Sequence, residues 1–169
     1  SMGGYAALAL WRNHRSLVAG LVLANTRSGA DDEAGRGRRA DLAARLRAEG
    51  NGFLAASPPP LLSANAPAAL LEQVKGIIAA QPAEGIAAGS LGMAARVDSG
   101  DLLAGINVPT LVISSSGDTL IPSAATQETA AGIPGAEFKM IEEAGHLSNL
   151  EAPSAFNALL RDFIGSHTW

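Results

Sequence analysis

The sequence predicts an α/β domain: about three parallel strands with flanking helices and a helical insertion. Three observations lead there. The run LVAGLVLAN at 17–25 is apolar without alternation and follows a helical pattern, as a strand buried on both faces would. After residue 100, strand and helix patterns alternate, the signature of a parallel sheet. Between these parts, residues 26–100 show helical spacing and no strong strand.

Taken in order, residues 3–14 read as a helix of small and apolar residues, entered through Gly3 and Gly4. The strand 17–25 follows. TRSGADDEAGRGRR at 26–39 is polar and glycine-rich, so it reads as loop. RADLAARLRAEG places Leu42 and Leu46 four apart and ends in Gly50, a helix with its stop signal. SPPPLL at 57–62 is a break. APAALLEQVKGIIAAQP at 66–82 begins a helix at a proline and ends before Pro82. AEGIAAGSLGMAAR at 83–96 reads as a further short helix. A strand at 109–115 then ends in a Ser/Gly turn, and IPSAATQETAAGIPG is a helix bounded by proline and glycine. A strand at 136–141 follows. The closing helix, 151–165, carries Phe156, Leu159, Leu160, Phe163 and Ile164 on one side. The expected segments are 1–25, the start of the α/β core; 26–100, the helical insertion; and 101–169, the remaining core.

Composition narrows the function classes. The 169 residues are 47% apolar and 17% charged, which fits one globular domain and excludes a disordered chain. A net charge of −4 offers no basic face for nucleic acid. Cysteine is absent, so disulfides and thiolate metal sites are excluded, which fits a cytoplasmic protein. No apolar run reaches the ~18 residues of a membrane span. No GxGxxG occurs, so there is no dinucleotide fingerprint.

Two turns carry the chemistry. Asp118 follows one predicted strand in SSSGDTLIP, and His146 follows the next in EEAGHLSNLE. Both fall at the carboxyl edge of the sheet, where open α/β sheets place ligands. A carboxylate beside a histidine takes the Nδ1 proton and steadies the imidazolium, leaving the other nitrogen free to deprotonate a hydroxyl. Ser1 is the candidate hydroxyl, and the chain order is Ser1, Asp118, His146.

With those residues the sequence resembles the α/β-hydrolase superfamily from its nucleophile elbow onward. SMGG matches the serine, variable residue and glycine of G-x-S-x-G. The GD turn at Asp118 matches the family's acid, and AGH at His146 matches its base. GIPGAEFKMIEEAGHLSNLEAPSAFNALLRDFI is similar to the closing segment of esterases and lactonases related to 3-oxoadipate enol-lactonase. The insertion 26–100 sits where those enzymes carry a cap. The resemblance implies a truncated half-sheet, with the strands ahead of the elbow lying outside the sequence. It implies a serine hydrolase of carboxylic esters or lactones, active only as an assembly with a second chain or a rebuilt first half, with Ser1, Asp118 and His146 catalytic and no metal or organic cofactor. The N–H of Met2 is the remaining oxyanion-hole donor it implies.

Other readings stand beside this one. A serine ahead of a methionine is also the residue left after tag cleavage. The alternative is a catalytically impaired, truncated hydrolase fragment that folds and self-associates. In that case the 17–25 strand and the 3–14 helix would form a homodimer or swapped oligomer, because an exposed apolar edge templates pairing. An N-terminal serine using its own amine is a third mechanism, but it belongs to a different architecture. His14 reads as a helix-end cation and His167 as part of a frayed tail. Asp31, Asp32 and Glu33 read as a solvated acidic loop.

Overall fold

The computed structural model describes residues 1–168. In chain order the elements are α1 (Met2–His14), a 3-10 turn (Arg15–Leu17), β1 (Leu21–Ala24), α2 (Glu33–Glu49), α3 (Gly52–Ala56), α4 (Ala68–Ala79), α5 (Ala83–Ala94), α6 (Gly100–Leu103), β2 (Thr110–Ser115), α7 (Ser123–Ala131), β3 (Glu137–Ile141), α8 (Ser148–Glu151) and α9 (Pro153–Gly165). The chain divides into two compact units. The first holds Ser1–Ser28, Pro60–Ala66 and the residues from Ser99 on; the second holds Gly29–Pro59 and Pro67–Asp98. The stretch 60–66, inside the expected insertion, thus groups with the first unit.

In the first unit, β1, β2 and β3 form a parallel sheet in that order, with Leu21 opposite Thr110 and Leu111 opposite Glu137. Leu21, Leu23 and Val112 face one side, packing with Leu8 and Trp11 of α1 and with Ala130 of α7 and Ile133 just beyond it. Leu111, Ile113 and Ile141 face the other side, against Phe156, Leu159, Leu160 and Phe163 of α9. With both faces covered, alternation disappears from the sequence. Fully burying a side chain such as Leu23 contributes about 1.5–3 kcal/mol.

Three expectations need correction here. The strand predicted over 17–25 is only Leu21–Ala24, because pairing begins where the Leu21 N–H reaches the Pro109 carbonyl at 2.9 Å. Leu17 instead ends the 3-10 turn, 74% exposed. The loop predicted over 26–39 is cut short, because an Asp32 carboxylate oxygen accepts the Gly35 N–H at 2.6 Å and caps α2 from Glu33. That cap overrides the helix cost of Gly35 and Gly37. Ile164 leaves the apolar side of α9 and is 55% exposed.

The second unit is helical. Ala43 and Leu46 of α2 bury against Ala87 of α5, and the two small alanines let the helices approach closely. Ser90 Oγ donates to the Arg39 carbonyl at 3.1 Å, and Arg47 forks onto Glu84 at 2.9 and 2.7 Å. Asn51 donates to the carbonyls of Ile78 and Gln81 at the end of α4. The acidic run is not a solvated loop. Asp31 is buried, Arg96 grips both its oxygens at 3.0 Å, and Arg39 donates to it as well. Among the described residues no helix is long and apolar enough to cross a membrane.

Candidate active site

Parallel strands end together, so the turns after β1, β2 and β3 share one edge of the sheet. His146 comes from the turn after β3 and Asp118 from the turn after β2. Ser1 is the N-cap residue of α1. Its side chain makes no capping bond, and its Oγ lies 2.9 Å from His146 Nε2. His146 Nδ1 lies 2.8 Å from Asp118 Oδ2. The His146 side chain is 6% exposed and that of Asp118 is fully buried. The three residues singled out in the sequence are therefore brought into one hydrogen-bonded line.

The protonation pattern follows from the partners. Burial would raise the Asp118 pKa. The hydrogen bonds from His146, the Ile121 N–H and Asn25 outweigh it and hold the carboxyl below its ordinary value. An ionised carboxylate only accepts, so Nδ1–H of His146 donates to it. In a neutral imidazole so oriented, Nε2 is the bare nitrogen and can accept a hydrogen bond from the Ser1 hydroxyl.

Local packing sets the elbow. Thr26, fully buried just after β1, donates from Oγ1 to the Ser1 carbonyl at 2.9 Å. It presses so close to the first turn of α1 that a Cβ on Gly4 would meet its side chain at 2.5 Å. Glycine is required there by space. Met2 opens α1, where the first backbone N–H groups have no partner within the helix and can point at a negative oxygen.

A second layer was not singled out in the sequence. Asn25 adopts φ 47°, a left-handed conformation that asparagine tolerates. Its Nδ2 donates to Asp118 Oδ2 at 3.0 Å and to Ser115 Oγ at 2.9 Å, and its Oδ1 accepts from Ser148 Oγ at 2.8 Å. Asp118 Oδ1 accepts the Leu120 and Ile121 N–H groups at 2.9 and 3.0 Å. A polar residue closing an apolar strand at the sheet's carboxyl edge was the available signal for Asn25. The remaining histidines stand apart. His14 ends α1, exposed. His167 is not frayed, because its Nδ1 lies 2.9 Å from the Phe163 carbonyl and its ring 4.8 Å from that of Phe163.

Several known proteins resemble this chain in sequence and fold. A thermophilic esterase from Thermogutta terrifontis is 37% identical, with a TM-score of 0.94 over 99% of this chain and 64% of its own. The enol-lactonase of Burkholderia xenovorans LB400 is 28% identical, with a TM-score of 0.84 over 98% and 63%. An Agrobacterium fabrum relative with the provisional name carbamate hydrolase RutD is 27% identical over 97% of this chain and 64% of its own. The chain thus spans under two thirds of the length of these relatives. The family model described as "Alpha/beta hydrolase family" matches residues 1–159, and with the three-stranded parallel sheet it shows that the chain belongs to the alpha/beta hydrolase family.

Proposed function

We propose that this chain carries a serine-hydrolase site for carboxylic esters or lactones. The observation that carries the reading is the line Ser1 Oγ–His146 Nε2–Asp118 Oδ2, with links of 2.9 and 2.8 Å. Ser1 Oγ bonds to the carbonyl carbon as His146 Nε2 takes its proton. The Met2 N–H donates to the oxygen that becomes negative. His146 then returns the proton to the leaving oxygen as the acyl C–O bond breaks, and a water repeats the sequence to free the acid. Asp118 fixes the tautomer and stabilises the imidazolium. The similarity to an esterase and an enol-lactonase supports an acyl carbonyl substrate, and the lack of cysteine supports a cytoplasmic setting. Hydrolysis of p-nitrophenyl acetate tests this. Ser1→Ala is expected to reduce turnover by about 10⁴-fold or more. Equal turnover by wild type and Ser1→Ala would remove the proposal.

A second reading, self-pairing with impaired hydrolysis, is favoured by one observation. β1 pairs only with β2 among the described residues. Beside it lies an open apolar groove of about 540 Å³, lined by Leu10, Val18, Leu21, Val22 and Ile164 among others. A second copy pairing across β1 about a two-fold axis would cover both edges. Light scattering should then give a dimer, and Val22→Lys a monomer. A wild-type monomer at all concentrations would eliminate this reading.

A further inference from the structure

Beyond the serine, histidine and aspartate, one carboxylate is built into the histidine loop without touching the reacting atoms. Glu151 closes α8. Its Oε1 accepts the Gly145 N–H at 2.7 Å and the Ser63 N–H at 3.1 Å, and its Oε2 accepts the same Ser63 N–H at 3.0 Å. Gly145 immediately precedes His146. Ser63 belongs to the strap Pro60–Ala66, which in sequence separates the two stretches of the second unit yet groups with the first.

The strap and the histidine loop are held backbone to backbone. The Leu147 N–H donates to the Leu61 carbonyl at 2.9 Å, on the other side of His146 from Gly145. A Cβ on Gly145 would lie 2.4 Å from Ser63 N and 2.5 Å from the Leu62 carbonyl carbon. A Cβ on Gly117, in the Asp118 turn, would lie 2.9 Å from the Ala144 carbonyl oxygen and 3.2 Å from Ser63 Cβ. His146 is thus gripped at both neighbouring peptides: at Gly145 through Glu151, and at Leu147 through the strap.

We infer that Glu151 is a positioning residue, whose carboxylate clamps Gly145 and the 60–66 strap together and so fixes His146 between Ser1 and Asp118. The role rests on the hydrolase reading above. The chemistry selects glutamate. A carboxylate is acceptor-only and can take N–H donors on both oxygens. A glutamine that keeps its oxygen at the Oε1 place sets its NH₂ against the Ser63 N–H, which lies 3.0 Å from Oε2, so two donors face each other and the Ser63 arm of the clamp is weakened.

Glu151→Gln and Glu151→Asp test this, with Glu142→Gln as the control for charge loss on an exposed site of the same loop. Both Glu151 variants should lower kcat for p-nitrophenyl acetate by about 10–100-fold, because a displaced catalytic group loses rate steeply. KM should change less than about twofold, and Glu142→Gln should change neither constant. Amide exchange at Gly145 and Ser63 should quicken in both Glu151 variants. Faster exchange with kcat unchanged would make Glu151 merely structural, and unchanged exchange would show that no clamp exists. Either result overturns the proposal. If wild type shows no hydrolysis sensitive to Ser1→Ala, the hydrolase reading has failed separately. The clamp is then read from the His146 imidazole NMR signals: a shift in Glu151→Gln supports it and no shift overturns it.

Discussion

Asp118 in the first unit and Asp31 in the second are both buried carboxylates held below their ordinary pKa, by opposite means. For each, burial works against the charge. At Asp118 it is overcome by hydrogen bonds from His146, the Ile121 N–H and Asn25. At Asp31 it is overcome by the hydrogen bonds and charges of Arg96 and Arg39. Backbone and amide N–H groups stabilise a negative charge without cancelling it, so Asp118 can still answer a positive charge that forms on His146. The two guanidiniums have already cancelled the charge of Asp31. On the proposed hydrolase reading, the partners of a buried carboxylate therefore separate a working charge from a structural one better than its burial or the direction of its pKa shift.

Exchanging each carboxylate for its amide sharpens that difference. Asp118→Asn should reduce kcat for ester hydrolysis by about 10⁴-fold. The asparagine NH₂ would donate to Nδ1, which forces the proton onto Nε2 and leaves nothing to accept from Ser1. Asp31→Asn should leave kcat within about threefold in protein whose circular dichroism shows it folded. Comparable losses in the two variants would break the comparison.

The sequence displayed the elements of the site more fully than the bonds that hold them. Asp118 and His146 were legible because each sits in a turn after a strand, a position set by chain order alone. Ser1 was legible from the glycines behind it, and Gly4 has a physical reason in the approach of Thr26. Asn25 shows only as a polar residue closing an apolar strand, and the bonds that Asn25, Ser148 and Glu151 make are not legible, because those partners lie 93, 123 and 88 positions away. Asp31 was misread for the same reason. Beside Asp32 and Glu33 it looked like a polar run, yet Arg96 lies 65 positions on. The α2 start was in principle readable, since Asp32 lies three residues before the Gly35 N–H that it accepts. The glycines of 26–39 masked that signal. The strand 17–25 was overextended because Leu17 and Val18 are as apolar as Leu21 and Leu23, and only the register with β2 says where pairing begins.

The smaller effect lies in stability, and its pH dependence identifies its source. Removing one partner of a buried ion pair leaves the others uncompensated, at a cost of about 3 kcal/mol. The side chains of Asp31 and Arg96 are 4% and 10% exposed, so solvent screening relieves little of this. Asp31→Asn should therefore lower the unfolding free energy by about that amount at pH 7, measured by urea titration. The pKa of Asp31 is lower in the folded chain than its ordinary value of 3.8, so the unfolded chain binds the proton first as pH falls. The stabilisation is complete above that value and is lost as pH drops from it toward the native pKa. The gap between wild type and Asp31→Asn should accordingly stay constant from pH 7 to about 5. Below 3.8 it should narrow by up to about 1.4 kcal/mol per pH unit. A gap that persists undiminished to pH 2 would mean that lost packing, not the charge, is what the substitution removes, and Asp31 would no longer be the counterpart of Asp118.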